Sequence, residues 1–196
     1  SRPSSWSASR KTEAFTLAEL LTVIAIIALL MVFVVPATSS ILSGFTLSQH
    51  GQNLADQFSL CRQLAMTRNR DAEIRFVEVS TDFGPTWAYQ IWTYDEQGNN
   101  PKPYGAVEKI PDNIRINEEL SPLMDLLPTG TANFPALGGN REYHALRYRV
   151  NGTALGSFGT QNYLTLSLAR DDQEAPRNFY TVQVNPVTGM ISIFRP

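Results

Sequence analysis

Cysteine, histidine and net positive charge are all scarce in this chain. Of its 196 residues one is cysteine and two are histidine, 17% are charged, and the formal net charge is -2. A lone Cys61 excludes an intrachain disulfide, so stability must come from an apolar core, for which 43% hydrophobic content is ample. Cys61 falls on an apolar helical stripe and reads as a small buried hydrophobe rather than a reactive thiol. His50 and His144 lie in different elements with no cysteine near, so no metal and no cofactor is expected. Gly156-Ser157-Phe158-Gly159 lacks the order of a nucleophile elbow. Asp171, Asp172 and Glu174 could hint at a calcium loop, but an acidic turn between strands is ordinarily only solvated. No catalytic set emerges, so neither an enzyme nor a small-molecule substrate is expected. A mildly acidic chain has no global attraction to nucleic acid.

Against these absences stands one long apolar run. Phe15 to Val35 carries a single charge, Glu19, and a helix of that length would be about 31 Å long, enough to cross bilayer hydrocarbon. A carboxylate there costs roughly 2.5–3.5 kcal/mol at mid-bilayer and less near the interface, so it calls for a reason. Thr16 and Glu19 have the Thr-x-x-Glu spacing of a capping box, which satisfies the first amides of a helix. Arg2, Arg10 and Lys11 precede the run and would keep that end cytoplasmic.

Beyond Pro36 the chain stays helix-compatible, with Leu47, Leu54, Phe58, Cys61 and Ala65 on one face and Leu60 and Leu64 beside it. Helix is expected to about Asn69, with weak points at Pro36, Gly44 and Gly51. From Ala72 the period changes to two. Glu73–Ser80, Trp87–Tyr94, Asn113–Asn117, His144–Val150, Tyr163–Ala169, Phe179–Asn185 and Met190–Phe194 read as strands separated by turn signals such as Asn151-Gly152. The expected fold class is α+β, a long N-terminal helix on antiparallel sheet. The stretch 120–143, with three prolines and three glycines, is expected to be irregular and, being apolar, to cover a sheet face or edge.

Ala14, Phe15, Thr16, Leu17 and Glu19, followed by the apolar run and Pro36, resemble the type IV prepilin signature. That resemblance implies a leader, 1–14, removed by prepilin peptidase between Ala14 and Phe15; the family usually has glycine where Ala14 stands. It also implies methylation of the new amino terminus, a membrane-spanning and assembly half, 15–36, an amphipathic helical half, 37–70, and a β domain, 71–196. Phe15 and Glu19 then become the assembly residues: the new ammonium group of one subunit is a counter-ion for Glu19 of its neighbour, and pairing offsets the desolvation of both.

The order of elements resembles the H-type minor pseudopilins of type II secretion, the T-type minor fimbrial pilins, and a prepilin-like protein of a verrucomicrobial gene cassette. Leu54 to Phe76, Ile110 to Ile114, Tyr148 to Thr153 and Val187 to Ile193 carry the inner part of that likeness. It implies a pilin-like fold, a structural role, and other pilin or pseudopilin subunits, the peptidase and the bacterial inner membrane as partners. The N-terminus would be cytoplasmic and the β domain periplasmic. Two rival readings remain. A signal peptide cut after Ala37, or an uncleaved signal anchor, would give an exported or membrane-anchored binding domain, and Arg62, Arg68, Arg70 and Arg75 could form a DNA-binding patch centred on Arg68 and Arg70. With Asp71 and Glu73 interleaved, these arginines read as a solvated helix end instead.

Overall fold

The computed structural model describes residues 15–81, 84–156, 159–171 and 176–196, without the side chains of 32–41. Helix α1 (Leu17–Arg68) precedes β1 (Ala72–Thr81), β2 (Gly84–Thr93), β3 (Lys102–Lys109) and β4 (Ile114–Ile116). A short helix α2 (Pro122–Leu126) follows, then β5 (Thr129–Phe134), a 3-10 turn (Pro135–Leu137), β6 (Gly139–Tyr148), β7 (Ala154–Leu155), β8 (Tyr163–Leu168), β9 (Phe179–Val184) and β10 (Ile191–Phe194). The chain divides into two compact units, Ser1–Leu42 and Ser43–Pro196.

The second unit is α+β, with every strand pairing antiparallel. One sheet has the order β3-β2-β1-β6-β5, with β7 also on β6, and the other β10-β9-β8-β4. The helical stripe forms the centre of the core: Leu54, Phe58, Cys61 and Ala65 are fully buried, and Leu47 almost so. They meet Ile74, Phe76 and Leu146 of the first sheet and Leu164, Leu166 and Val182 of the second. Each such side chain contributes roughly 1.5–3 kcal/mol when removed from water, which is how alternation in the strands and a 3.6 period in the helix become one packed body.

Helical backbone continues past Pro36, Gly44 and Gly51 to Arg68. Gly51 is a close-packing point rather than a break. A Cβ there would stand 2.3 Å from the Tyr180 ring, whose hydroxyl donates to Gln52 Oε1 at 2.9 Å. Asn69, at φ 50°, ends the helix in the left-handed region that asparagine tolerates.

The stretch 120–143 is not irregular, contrary to expectation. It contains α2, β5, the 3-10 turn and the start of β6. Its prolines sit at element borders, where no ladder or helix hydrogen bond is lost: Pro122 opens α2, Pro128 precedes β5 and Pro135 opens the 3-10 turn. Gly138 and Gly139, at φ 86° and 124°, turn the chain between β5 and β6. Phe134 and Leu137 of this hairpin pack with Val77, Ala88 and Trp92 in a second, smaller core. Val77 and Ala88 lie on the sheet face opposite the one that meets α1, as the alternation along β1 and β2 requires.

Candidate assembly surface

The start of α1 forms the box that its sequence spacing predicts. Thr16 N–H donates to Glu19 Oε2 at 2.9 Å, Thr16 Oγ1–H donates to the same oxygen at 2.8 Å, and Glu19 N–H donates to Thr16 Oγ1 at 3.2 Å. Both bonds accepted by the carboxylate end on Oε2. Glu19 is exposed, and a carboxylate in a first helical turn also suits the helix dipole. Ala14, the other half of the predicted processing site, lies outside the described residues, as do residues 1–13.

Every residue from Phe15 to Met31 is exposed within this chain, Phe15 by 81% and Leu17 by 82%. A contiguous apolar surface on that scale marks an interaction site, because each large side chain left in water forgoes roughly 1.5–3 kcal/mol. Among the described residues no helix is long and apolar enough to cross a membrane. The apolar run continues in sequence into 32–35, whose side chains lie outside the described residues.

The predicted arginine patch is largely engaged within the protein. Arg70 pairs with Glu96 at 2.6 Å, and Arg68 lies over the Tyr104 ring, 4.7 Å from its centroid. Arg62 Nε donates to two turn carbonyls, Gly152 at 3.2 Å and Thr188 at 2.9 Å, tying α1 to the β6–β7 and β9–β10 turns. Arg147 pairs with Asp71 at 2.8 Å and stacks on Tyr94. The expectation of a solvated helix end holds at Arg68, which is exposed, and at Arg70, whose side chain is 40% exposed, but fails at Arg75, which is 2% exposed.

Arg75 is held between two aromatic rings, 4.0 Å from the Trp92 centroid and 4.1 Å from that of Tyr143. Its Nε donates to buried Glu73 at 2.5 Å, and the other oxygen of Glu73 accepts the Tyr94 hydroxyl at 2.7 Å. Burial, followed by the bond to Glu73, pushes the Tyr94 phenol up to about 12. The sequence signal for this cluster was Glu73-x-Arg75 within a strand, since alternate residues share a face. Reading the arginines as a helix terminus hid it.

The remaining candidate chemistry stays dispersed. Cys61 is buried and its thiol is pushed well above the usual range by desolvation. His144 packs edge-on against Trp87, in a different element from His50. Among the described residues no three metal-ligating side chains converge. Asp172 and Glu174 lie outside those residues, and the Asp171 carboxylate accepts from Arg177 N–H at 3.1 Å. Ser157 and Phe158 lie outside them as well. Asn151-Gly152 is a turn, with Asn151 Oδ1 accepting from Thr153 N–H at 3.1 Å. A cleft of about 300 Å³ on the second sheet is lined by Leu120, Tyr163, Thr165, Pro176, Phe179 and Thr181. The hydroxyls of Thr165 and Thr181 are bonded to each other at 2.9 Å, leaving an apolar lining.

No protein-family model and no curated protein matches the chain. Among solved structures, it is similar to the minor pseudopilin EpsH from the type 2 secretion system of Vibrio cholerae, at 13% identity and a TM-score of 0.45. That likeness covers 76% of this chain and 97% of the EpsH chain.

Proposed function

We propose that this protein is a minor pilin or pseudopilin, a structural subunit of a type IV pilus-like or type II secretion filament. In this reading the precursor sits in the bacterial inner membrane with its basic end cytoplasmic and residues 71–196 periplasmic. Prepilin peptidase removes 1–14, and the freed Phe15 ammonium group of one subunit meets Glu19 of another. Its partners are other subunits of the same class. Neither nucleic acid nor a small-molecule substrate has a part.

The observation that carries the reading is the Thr16–Glu19 box opening a helix whose first turns are apolar and exposed. Capping and counter-ion pairing do not compete, because the box uses Oε2 and leaves Oε1 for a neighbour's cation. The pairing would set axial register between helices, as a single buried polar group does in a coiled coil. Head-to-tail packing of such subunits does not close, which yields filaments rather than rings. The acidic partners Glu96 and Asp71, paired with Arg70 and Arg147, offset the local positive charge and weigh against DNA binding.

Two measurements test the reading together. Mass spectrometry of the natively produced protein should find Phe15 at the amino terminus; Thr38 there, or residues 1–14 retained, refutes it. Glu19→Ala should leave the globular unit folded and reduce incorporation into filaments. Wild-type incorporation would remove the counter-ion role.

A further inference from the structure

Strand β5 is the outer strand of its sheet, with no strand beyond it among the described residues. Outer strands present unpaired N–H and C=O groups, and proteins blunt them with charge, proline, bulges or brevity. The opposite border, β3, has all of these but brevity: Lys102, Pro103, Glu108 and Lys109, and a register break opposite Tyr89–Ile91. In the second sheet the outer strands β4 and β10 have only three and four residues. Strand β5 differs. Its six residues, TGTANF, contain no charge and no proline, and its register with β6 is unbroken from Thr129↔His144 to Phe134↔Gly139.

The strand is also self-complementary. Thr129, Thr131 and Asn133 are exposed on one side, and Gly130 and Ala132 are small and half-buried on the other. The Tyr143 ring lies across Gly130, so close that a Cβ there would meet its hydroxyl at 2.7 Å, and fills the hollow a glycine would leave. Read outward from Thr131, the pattern is the same in both directions: small, then polar. A two-fold axis at Thr131 would set Thr131 against its own copy, Thr129 against Asn133 and Gly130 against Ala132. No charged side chain would then lie between the two strands, and threonine pairs are favourable cross-strand neighbours.

We propose that β5 pairs antiparallel with β5 of a second copy of this chain, joining two six-stranded sheets through an isologous contact. Main-chain hydrogen bonds supply the attraction and the alternation of small and polar residues supplies the register. This contact uses no residue of α1, so it stands independently of the filament reading.

Cross-linking of the full chain in membranes or detergent tests it. Cys61 is fully buried and silent toward oxidants, so an introduced thiol reports alone. Facing residues of antiparallel strands have Cα atoms about 4.5–5.5 Å apart, within the range a disulfide spans. Thr131→Cys is expected to give a disulfide-linked homodimer on mild oxidation, several-fold more than Lys109→Cys on the opposite border. Thr129→Cys mixed with Asn133→Cys should cross-link, whereas Asn133→Cys alone should not, because a four-residue offset separates its copies by about 13 Å. Homodimer yields no higher at 131 than at 109, an adduct of Thr131→Cys with a different protein, or cross-linking of Asn133→Cys alone as strong as the mixture would each overturn the proposal.

Discussion

Replacing Arg75 with alanine is expected to be the most damaging single substitution outside the apolar core. At 2% exposure the guanidinium has left bulk water, and its compensation is local: Glu73, 4% exposed, and the faces of Trp92 and Tyr143 at 4.0 and 4.1 Å. Removing the cation leaves Glu73 buried with the Tyr94 hydroxyl as its remaining hydrogen-bond donor. Breaking a buried pair in this way costs about 3–5 kcal/mol, most of it the penalty of the stranded carboxylate. For a domain of this size each kcal/mol lowers Tm by roughly 2–4 °C, so the melting transition should fall by about 6–20 °C. The assay is thermal unfolding of the full chain in detergent, followed by near-UV circular dichroism of the aromatic cluster. Arg75→Lys should lie between, because it keeps the charge and loses the planar group that both rings stack on. Glu73→Gln combined with Arg75→Met should recover part of the loss, since it removes both charges while keeping volume. If Arg75→Ala melts with wild type, or if the double variant is no more stable than Arg75→Ala, the pair is not what orders this face of the sheet.

Alkaline pH offers a second check. Burial pushes the Tyr89 and Tyr94 phenols up to about 12, and raises Tyr148 and Tyr180 as well. A phenol whose folded pKa lies above its unfolded value contributes stability that is complete below about pH 10 and lost as pH rises toward 12. Urea midpoints should therefore fall between pH 10 and 12, less steeply in Tyr94→Phe; an unchanged slope in that variant would refute its part. Gly51→Ala sets two effects of opposite sign against each other. Helix propensity favours alanine by about 1 kcal/mol, whereas the overlap with Tyr180 costs about 1–3 kcal/mol, so urea unfolding should show net destabilisation.

Much of the fold was legible because it rests on local periodicity. Leu47, Leu54, Phe58, Cys61 and Ala65 lie on one helical face whatever they meet, and β1, β2, β8 and β9 begin and end within about three residues of their predicted spans. Strands β3 and β5 were not legible. Lys102-Pro103-Tyr104-Gly105 and Thr129-Gly130-Thr131 contain residues that disfavour strands, and they pair only because each lies at a sheet border beside an already ordered neighbour. The prolines of 120–143 misled for a related reason: their effect depends on whether they fall inside an element or at its border, and composition does not say which.

The amino-acid sequence by itself determined the capping box of Thr16 and Glu19, the apolar character of the first helical turns and the stripe that faces the sheets, because each depends on residues within a few positions of one another. Tertiary structure alone decided the fate of the arginines. Arg62, Arg75 and Arg147 find their partners in residues brought close by strand pairing and turns, such as Gly152 and Thr188, Trp92 and Tyr143, and Tyr94. A charge is free or engaged according to what surrounds it in space, and that surrounding is assembled from distant parts of the chain.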